Sequence, residues 1–177
     1  MGMATRKDIL KMIQKITTGF PSSTNNRILQ SLIENQNWGF GFDYTRISKT
    51  NQFDAGFTLL SLGTNDSKLE IYGYTLLDAV QKHTVIKIKN ITRMNWNWYN
   101  KNSVTEFHKD NVEDNYYSIL YNIHTNDGGT EFKINDKIEF YPSIEGEALF
   151  FPSKVLHRGI ASKTTANRFI LNITGTI

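Results

Sequence analysis

The stretch on which the fold turns is Glu106-Phe107-His108-Lys109-Asp110. On an extended strand successive side chains alternate faces, so His108 and Asp110 share one side and Lys109 takes the other. Two later stretches complete the pattern: Leu156-His157-Arg158, and Asn167-Arg168-Phe169, which puts Arg168 eleven positions after His157. A histidine and a carboxylate on one face, met by a second histidine from a distant strand, form a 2-His-1-carboxylate triad. Such a triad holds non-haem Fe(II) by three positions and leaves others open.

The surrounding chain reads as the sheet this requires. From Thr84 the apolar period becomes two: Val85, Ile86, Ile88 and Ile91 interleave with Lys87, Lys89 and Asn90, and Met94, Trp96 and Trp98 alternate with Asn95 and Asn97. Further strands are expected over 104–107, 116–123, 130–134, 137–141, 147–152, 159–163 and 168–174. Turn signals separate them at Asn126-Asp127-Gly128-Gly129, Asn135-Asp136 and Ile144-Glu145-Gly146. Many short strands at regular spacing predict a jelly roll of two packed sheets, a double-stranded β-helix of cupin-like type.

The first half has a helical period. Residues 5–18 carry Ile9, Leu10, Met12, Ile13 and Ile16 on one stripe. Ser22-Ser23-Thr24 offers N-cap oxygens for a second helix running through Ile28, Leu29, Leu32 and Ile33. Trp38, Phe40 and Phe42 then read as a strand start, and 43–66 as a hairpin or irregular strands. A third helix is expected over 67–81, with Leu69, Tyr72, Leu76, Leu77 and Val80 buried. The fold class is therefore α+β: two or three N-terminal helices backing a jelly roll, in one domain spanning 1–177. Residues 1–83 supply helices and edge strands, and 84–177 the jelly-roll core.

At 177 residues, 39% hydrophobic, the chain can bury one core. It contains no cysteine, so any metal must be held by histidine and carboxylate. No apolar run is long enough to cross a bilayer, and a cytoplasmic location is expected. The net charge of +3 and pI near 9.0 permit an acidic partner, but the basic residues are scattered. Nucleic acid is thus possible and not favoured.

Arg168 stands among Phe150, Phe169 and Leu171, where a buried cation is costly without an anion. A carboxylate is the partner an arginine fork fits best. Metal and arginine together imply a ligand that chelates at one end and carries a carboxylate at the other, as 2-oxoglutarate does.

His-x-Asp, then a distal histidine, then an arginine some ten residues on resembles the Fe(II)/2-oxoglutarate-dependent oxygenases, and within them the prolyl 4-hydroxylase-like branch. The resemblance covers about residues 90–177. It rests also on Tyr99, on Tyr121-Asn122-Ile123 before Asp127-Gly128-Gly129-Thr130-Glu131-Phe132, and on Pro142 before the run from Glu145 to Phe151. It implies that His108, Asp110 and His157 hold Fe(II), and that Arg168 binds the distal carboxylate of 2-oxoglutarate with the hydroxyls of Tyr121 and Tyr99. O2 would fill the remaining metal position. Hydroxylation of a C–H bond would accompany release of succinate and CO2.

The substrate implied is a peptide, a protein or a small amino-acid-like molecule. Asn122-Ile123 replaces the usual Leu-Asn, and Ile170 stands where plant-type enzymes carry serine. Read as residues alone, Tyr99 and Tyr121 fit packing or cosubstrate contact equally. Arg158 and Trp98 are substrate-contact candidates beside a plainer role as rim charge and core aromatic. Two other functions fit the same scaffold: oxidative demethylation of nucleic acid, and a jelly-roll binding module without turnover.

Overall fold

The computed structural model describes residues 13–40, 57–60, 67–101, 103 and 105–177. In chain order its elements are β1 (Gln14–Thr17), α1 (Ser22–Glu34), β2 (Gly39–Phe40), β3 (Phe57–Leu60), α2 (Ser67–Gln81), β4 (Asn90–Asn100), β5 (Tyr116–Asn122), β6 (Asn126–Ile134), β7 (Lys137–Ser143), β8 (Glu147–Pro152), β9 (His157–Ile160) and β10 (Asn167–Thr176).

The strands form two antiparallel sheets, one of seven strands in the order β1-β8-β5-β10-β4-β3-β2 and one of three in the order β7-β6-β9. β10 lies at the centre of the large sheet. It pairs with β4 on one side, Arg168 opposite Tyr99, and with β5 on the other, Leu171 opposite Tyr121. Directly opposed residues share a face, so these two pairs of partners point to opposite sides of the sheet.

One side faces the small sheet. There Tyr99, Leu120, Leu149, Phe151 and Ile170 meet Phe132 and Ile134 in a core closed by Ile13 and Val155. The other side faces the helices. Met94, Trp96, Tyr121, Phe150, Phe169, Leu171 and Ile173 pack there with Ile28 and Leu32 of α1 and Leu69, Leu76, Leu77 and Val80 of α2. The expected jelly roll with supporting helices is the fold observed. β6 and β7 join through Asn135 and Asp136, both at positive φ (49° and 60°), the two-residue hairpin that Asn-Asp favours.

Local expectations were corrected in five places. The helix over 5–18 fails across its end: Gln14–Thr17 is β1, paired with β8, and the rest of it lies outside the described residues. The Ser22-Ser23-Thr24 cap is not used, because Pro21 stands at the N-cap and α1 starts without a side-chain hydrogen bond. Residues 85–89 form no strand. Gln81 Oε1 accepts the Ile88 N–H (2.6 Å) and Thr84 Oγ1 donates to Ile86 O (2.7 Å), which commits this backbone before β4 begins.

The Asn126–Gly129 turn is instead the start of β6, with a register shift between those residues. Gly129 permits it, since a Cβ there would collide with Tyr141 O and the Phe140 ring. The strand over 159–163 moves back to His157–Ile160. Asp127 accepts hydrogen bonds from the backbone N–H of Lys163 and Thr164 and from both the Ser162 and Thr164 hydroxyls, bending that segment off the sheet. Most of the region 43–66 lies outside the described residues, apart from the Phe57–Leu60 strand on the edge of β4.

Candidate metal centre

His108 is not on a strand ladder, and this corrects the expected strand over 104–107, of which residue 104 is outside the described set. The segment makes a single antiparallel bridge, His108 opposite His157, with His108 N–H to His157 O at 2.9 Å and His157 N–H to His108 O at 3.0 Å. Those two bonds fix the imidazoles side by side, ring centroids 4.6 Å apart. Asp110 is fixed two residues on, where its N–H donates to Ser153 O at 3.0 Å.

One potential ligand atom from each of His108, Asp110 and His157 lies within 4.8 Å of the others. His108 Nε2 is 3.8 Å from Asp110 Oδ1, and His157 Nε2 is 3.5 Å from Oδ2. In both rings Nδ1 faces a backbone carbonyl, Glu106 O at 3.0 Å and Val155 O at 2.9 Å. A proton on each Nδ1 satisfies that carbonyl and leaves the Nε2 lone pairs aimed at a common point, the outer-shell arrangement that orients metal-bound imidazoles.

The surroundings set the protonation of Asp110 and of His157. Burial alone would raise the Asp110 carboxyl. Arg93, then His157 and His108, and the Ser118 hydroxyl outweigh it and hold the group well below the usual carboxylate range. Arg93 Nη2 pairs with Asp110 Oδ1 and reaches Thr174 Oγ1 at 3.1 Å; Ser118 Oγ donates to Asp110 Oδ2 at 2.7 Å. Burial pushes His157 down to about 4, against the pull of Asp110. It packs on Phe132 and Phe151 in the core between the sheets. Asp110 and His157 are thus set to offer lone pairs at neutral pH.

Arg168 lies on the same interior side of the large sheet and is fully buried, at 0% exposure. Its guanidinium sits over the Tyr99 ring, 4.9 Å from the centroid, and Nη2 reaches Thr130 Oγ1 at 3.4 Å. Nε and Nη1 have no hydrogen-bond partner among the described residues. A buried cation with two idle donors fits an incoming carboxylate.

Two other candidates fall on the wrong side. Tyr121 faces the helices, and its hydroxyl donates to Asn25 Oδ1 at 2.9 Å, turned away from Arg168. Trp98 is opposite Phe169, stacks on it at 5.9 Å, and donates from Nε1 to Asn167 Oδ1 at 2.7 Å. Strand alternation separates both from the interior. Arg158 takes the side of β9 opposite His157. It binds Glu131 through Nε and Nη2 (2.8 Å each) and lies 4.5 Å from the Phe107 ring centroid, at the rim.

Arg93, which the sequence motifs alone do not single out, is the partner of Asp110. The signal was present: Arg93, Asn95, Asn97 and Tyr99 occupy the alternate positions of β4 to Met94, Trp96 and Trp98. Asn95 and Asn97 are both buried, and Asn95 Nδ2 donates to Asn97 Oδ1 at 2.6 Å. A polar row inside a barrel marks a strand that lines a site rather than one that faces water.

No protein-family profile matches the chain, and no curated protein matches it in sequence. Solved structures do match in fold. A prolyl hydroxylase from Trichoplax adhaerens, in complex with a hypoxia inducible factor oxygen degradation domain peptide fragment, superposes with a TM-score of 0.73 at 15% identity, covering 97% of this chain and 88% of that one. A Pseudomonas putida prolyl-4-hydroxylase gives 0.64 at 11% identity, covering 98% and 97%. HygX from Streptomyces hygroscopicus, with nickel and 2-oxoglutarate bound, gives 0.65 at 12% identity, covering 97% and 87%. The chain has the jelly-roll fold of these oxygenases.

Proposed function

We propose that the protein is an Fe(II)- and 2-oxoglutarate-dependent dioxygenase that hydroxylates a C–H bond of a prolyl or other amino-acid residue, releasing succinate and CO2. The observation that carries this reading is one interior face bearing both a His-Asp-His cluster and a buried arginine with two unpartnered donors. The solved proteins of this fold named above include one seen with a peptide and one seen with 2-oxoglutarate, which supports the same reaction class.

His108, Asp110 and His157 would hold Fe(II), and Arg168, steadied by Tyr99 and Thr130, would hold the distal carboxylate of 2-oxoglutarate. When bound, the metal with its cosubstrate and O2 supplies the oxidation. The protein's own work is positional. The carbonyls of Glu106 and Val155 set the imidazole tautomers, and Arg93 and Ser118 keep Asp110 ionised.

The test is calorimetric titration of 2-oxoglutarate into Mn(II)-loaded protein, followed by succinate production with Fe(II). Micromolar binding is expected, weakened about tenfold to a hundredfold in Arg168→Met through loss of charge-assisted hydrogen bonds. Asp110→Ala should take up no metal at the concentration that saturates the parent. Equal binding by Arg168→Met, or no succinate from the iron-loaded parent, overturns the reading.

A further inference from the structure

β9 is the edge strand of the small sheet, and the segment leading to His108 meets its outer side at one backbone bridge. Upstream of that bridge the two chains separate. Between them lies a cavity of about 260 Å³ lined by Lys101, Ser103, Thr105, Arg158 and the run Gly159–Lys163. Thr105 Oγ1 donates to Gly159 O across its floor, and Gly159 is two residues from His157 on the same strand. The cavity thus follows the His-Asp-His cluster along β9.

Three cations and no carboxylate line it, and the two carboxylates nearby, Glu131 and Asp127, are both engaged, Glu131 with Arg158. Among the described residues neither Lys101 nor Lys163 has an ion-pair partner. The nearby Asp127 carboxylate is engaged with the backbone and hydroxyls of 162–164, which makes the wall rigid. Like charges gathered at a preformed hollow favour an anion, and a sheet edge favours an extended backbone over a folded one.

We infer that the cavity between Lys101, Ser103 and Thr105 on one side and 158–163 on the other is a substrate subsite that seats an acidic side chain of an extended peptide, next to the residue presented to the metal. The subsite rests on the oxygenase reading for its purpose and on its own residues for its chemistry. Lys101 and Lys163 would pair with the carboxylate, and Arg158, held by Glu131 and Phe107, would close the rim.

The experiment follows backbone amide NMR shifts of Zn(II)-loaded, 2-oxoglutarate-bound protein during titration with acetyl-Ala-Glu-Pro-Glu-Ala-amide and with its Gln-for-Glu counterpart. The acidic peptide should shift the amides of 159–163, and the neutral one should bind at least about tenfold more weakly, as expected when charge complementarity selects the partner. Lys101→Gln/Lys163→Gln should erase that preference while its thermal midpoint stays at the parent value. Equal binding of the two peptides, shifts confined to other regions, or an undiminished preference in the double variant overturns the inference. So does an oligonucleotide of equal charge that displaces the peptide. Failure to bind 2-oxoglutarate with the peptide shifts intact would sink the oxygenase reading and leave the subsite standing.

Discussion

Arg93 and Asp110 form a buried ion pair, so the carboxylate offered to a metal is already partly neutralised by the protein. The Asp110 side chain is 1% exposed and that of Arg93 29%, which puts the charge that needs compensating on the deeper group. Removing the guanidinium leaves a buried carboxylate with Ser118 as its remaining side-chain hydrogen-bond donor beside the imidazoles of His108 and His157. Breaking such a pair costs about 3 kcal/mol. Arg93→Gln should lose about that much stability without metal, by urea unfolding. Mn(II) should recover most of it, because a dication takes over the same charge. A metal-free variant as stable as the parent would refute the pairing.

The metal-free protein should be acid-labile. Folded His157 stays neutral down to about 4, whereas an unfolded imidazole takes its proton near 6.5. Between those values the unfolded state binds more protons, so stability is complete above about 6.5 and is lost as pH falls toward 4. Asp110 acts in the same direction lower down, since its folded carboxyl remains ionised where an unfolded aspartate protonates. Chemical denaturation from pH 8 to pH 4 should show the loss, and His157→Gln should flatten the upper part. A profile unchanged across that range in the parent would exclude a neutral buried imidazole.

The fold and the His-Asp-His cluster that could hold a metal were legible because they rest on local signals. Alternation along 94–98 and 168–174 gave the central strands, and His108, Asp110, His157 and Arg168 sit in short stretches whose chemistry shows without a partner. What failed was facing. Tyr121 and Trp98 were assigned to the site by residue type, but their faces depend on register, which Leu171 and Phe169 set across the sheet. The strand expected over 104–107 failed for a related reason: the bridge from His108 to His157, in a distant part of the chain, does the work expected of a strand.

Tyr121 offers a direct check on facing. Its hydroxyl donates to Asn25 Oδ1, and burial raises its pKa against its hydrogen bonds with Asn25 and Thr18. Tyr121→Phe should therefore leave 2-oxoglutarate affinity within about twofold of the parent, while costing about 1 kcal/mol as Asn25 loses its donor. A large loss of cosubstrate affinity in isothermal titration, with stability unchanged, would return the residue to the interior.

Gly159 tests the support beneath Arg168. A methyl at this position would stand inside contact distance of Tyr99 Cε1, Cζ and the hydroxyl, and Tyr99 is buried. The ring cannot yield without leaving the guanidinium that it underlies. Gly159→Ala should cost about 1–3 kcal/mol through overpacking and weaken 2-oxoglutarate about tenfold through the displaced arginine. The two effects have one cause, so they should be relieved together. In Gly159→Ala/Tyr99→Ala the added methyl has room, and the glycine substitution should then cost far less than it does in the parent, a coupling readable in a double-mutant cycle. Additive losses would mean that Gly159 and Tyr99 act independently, and that Arg168 is held by Thr130 and the surrounding strands without the ring.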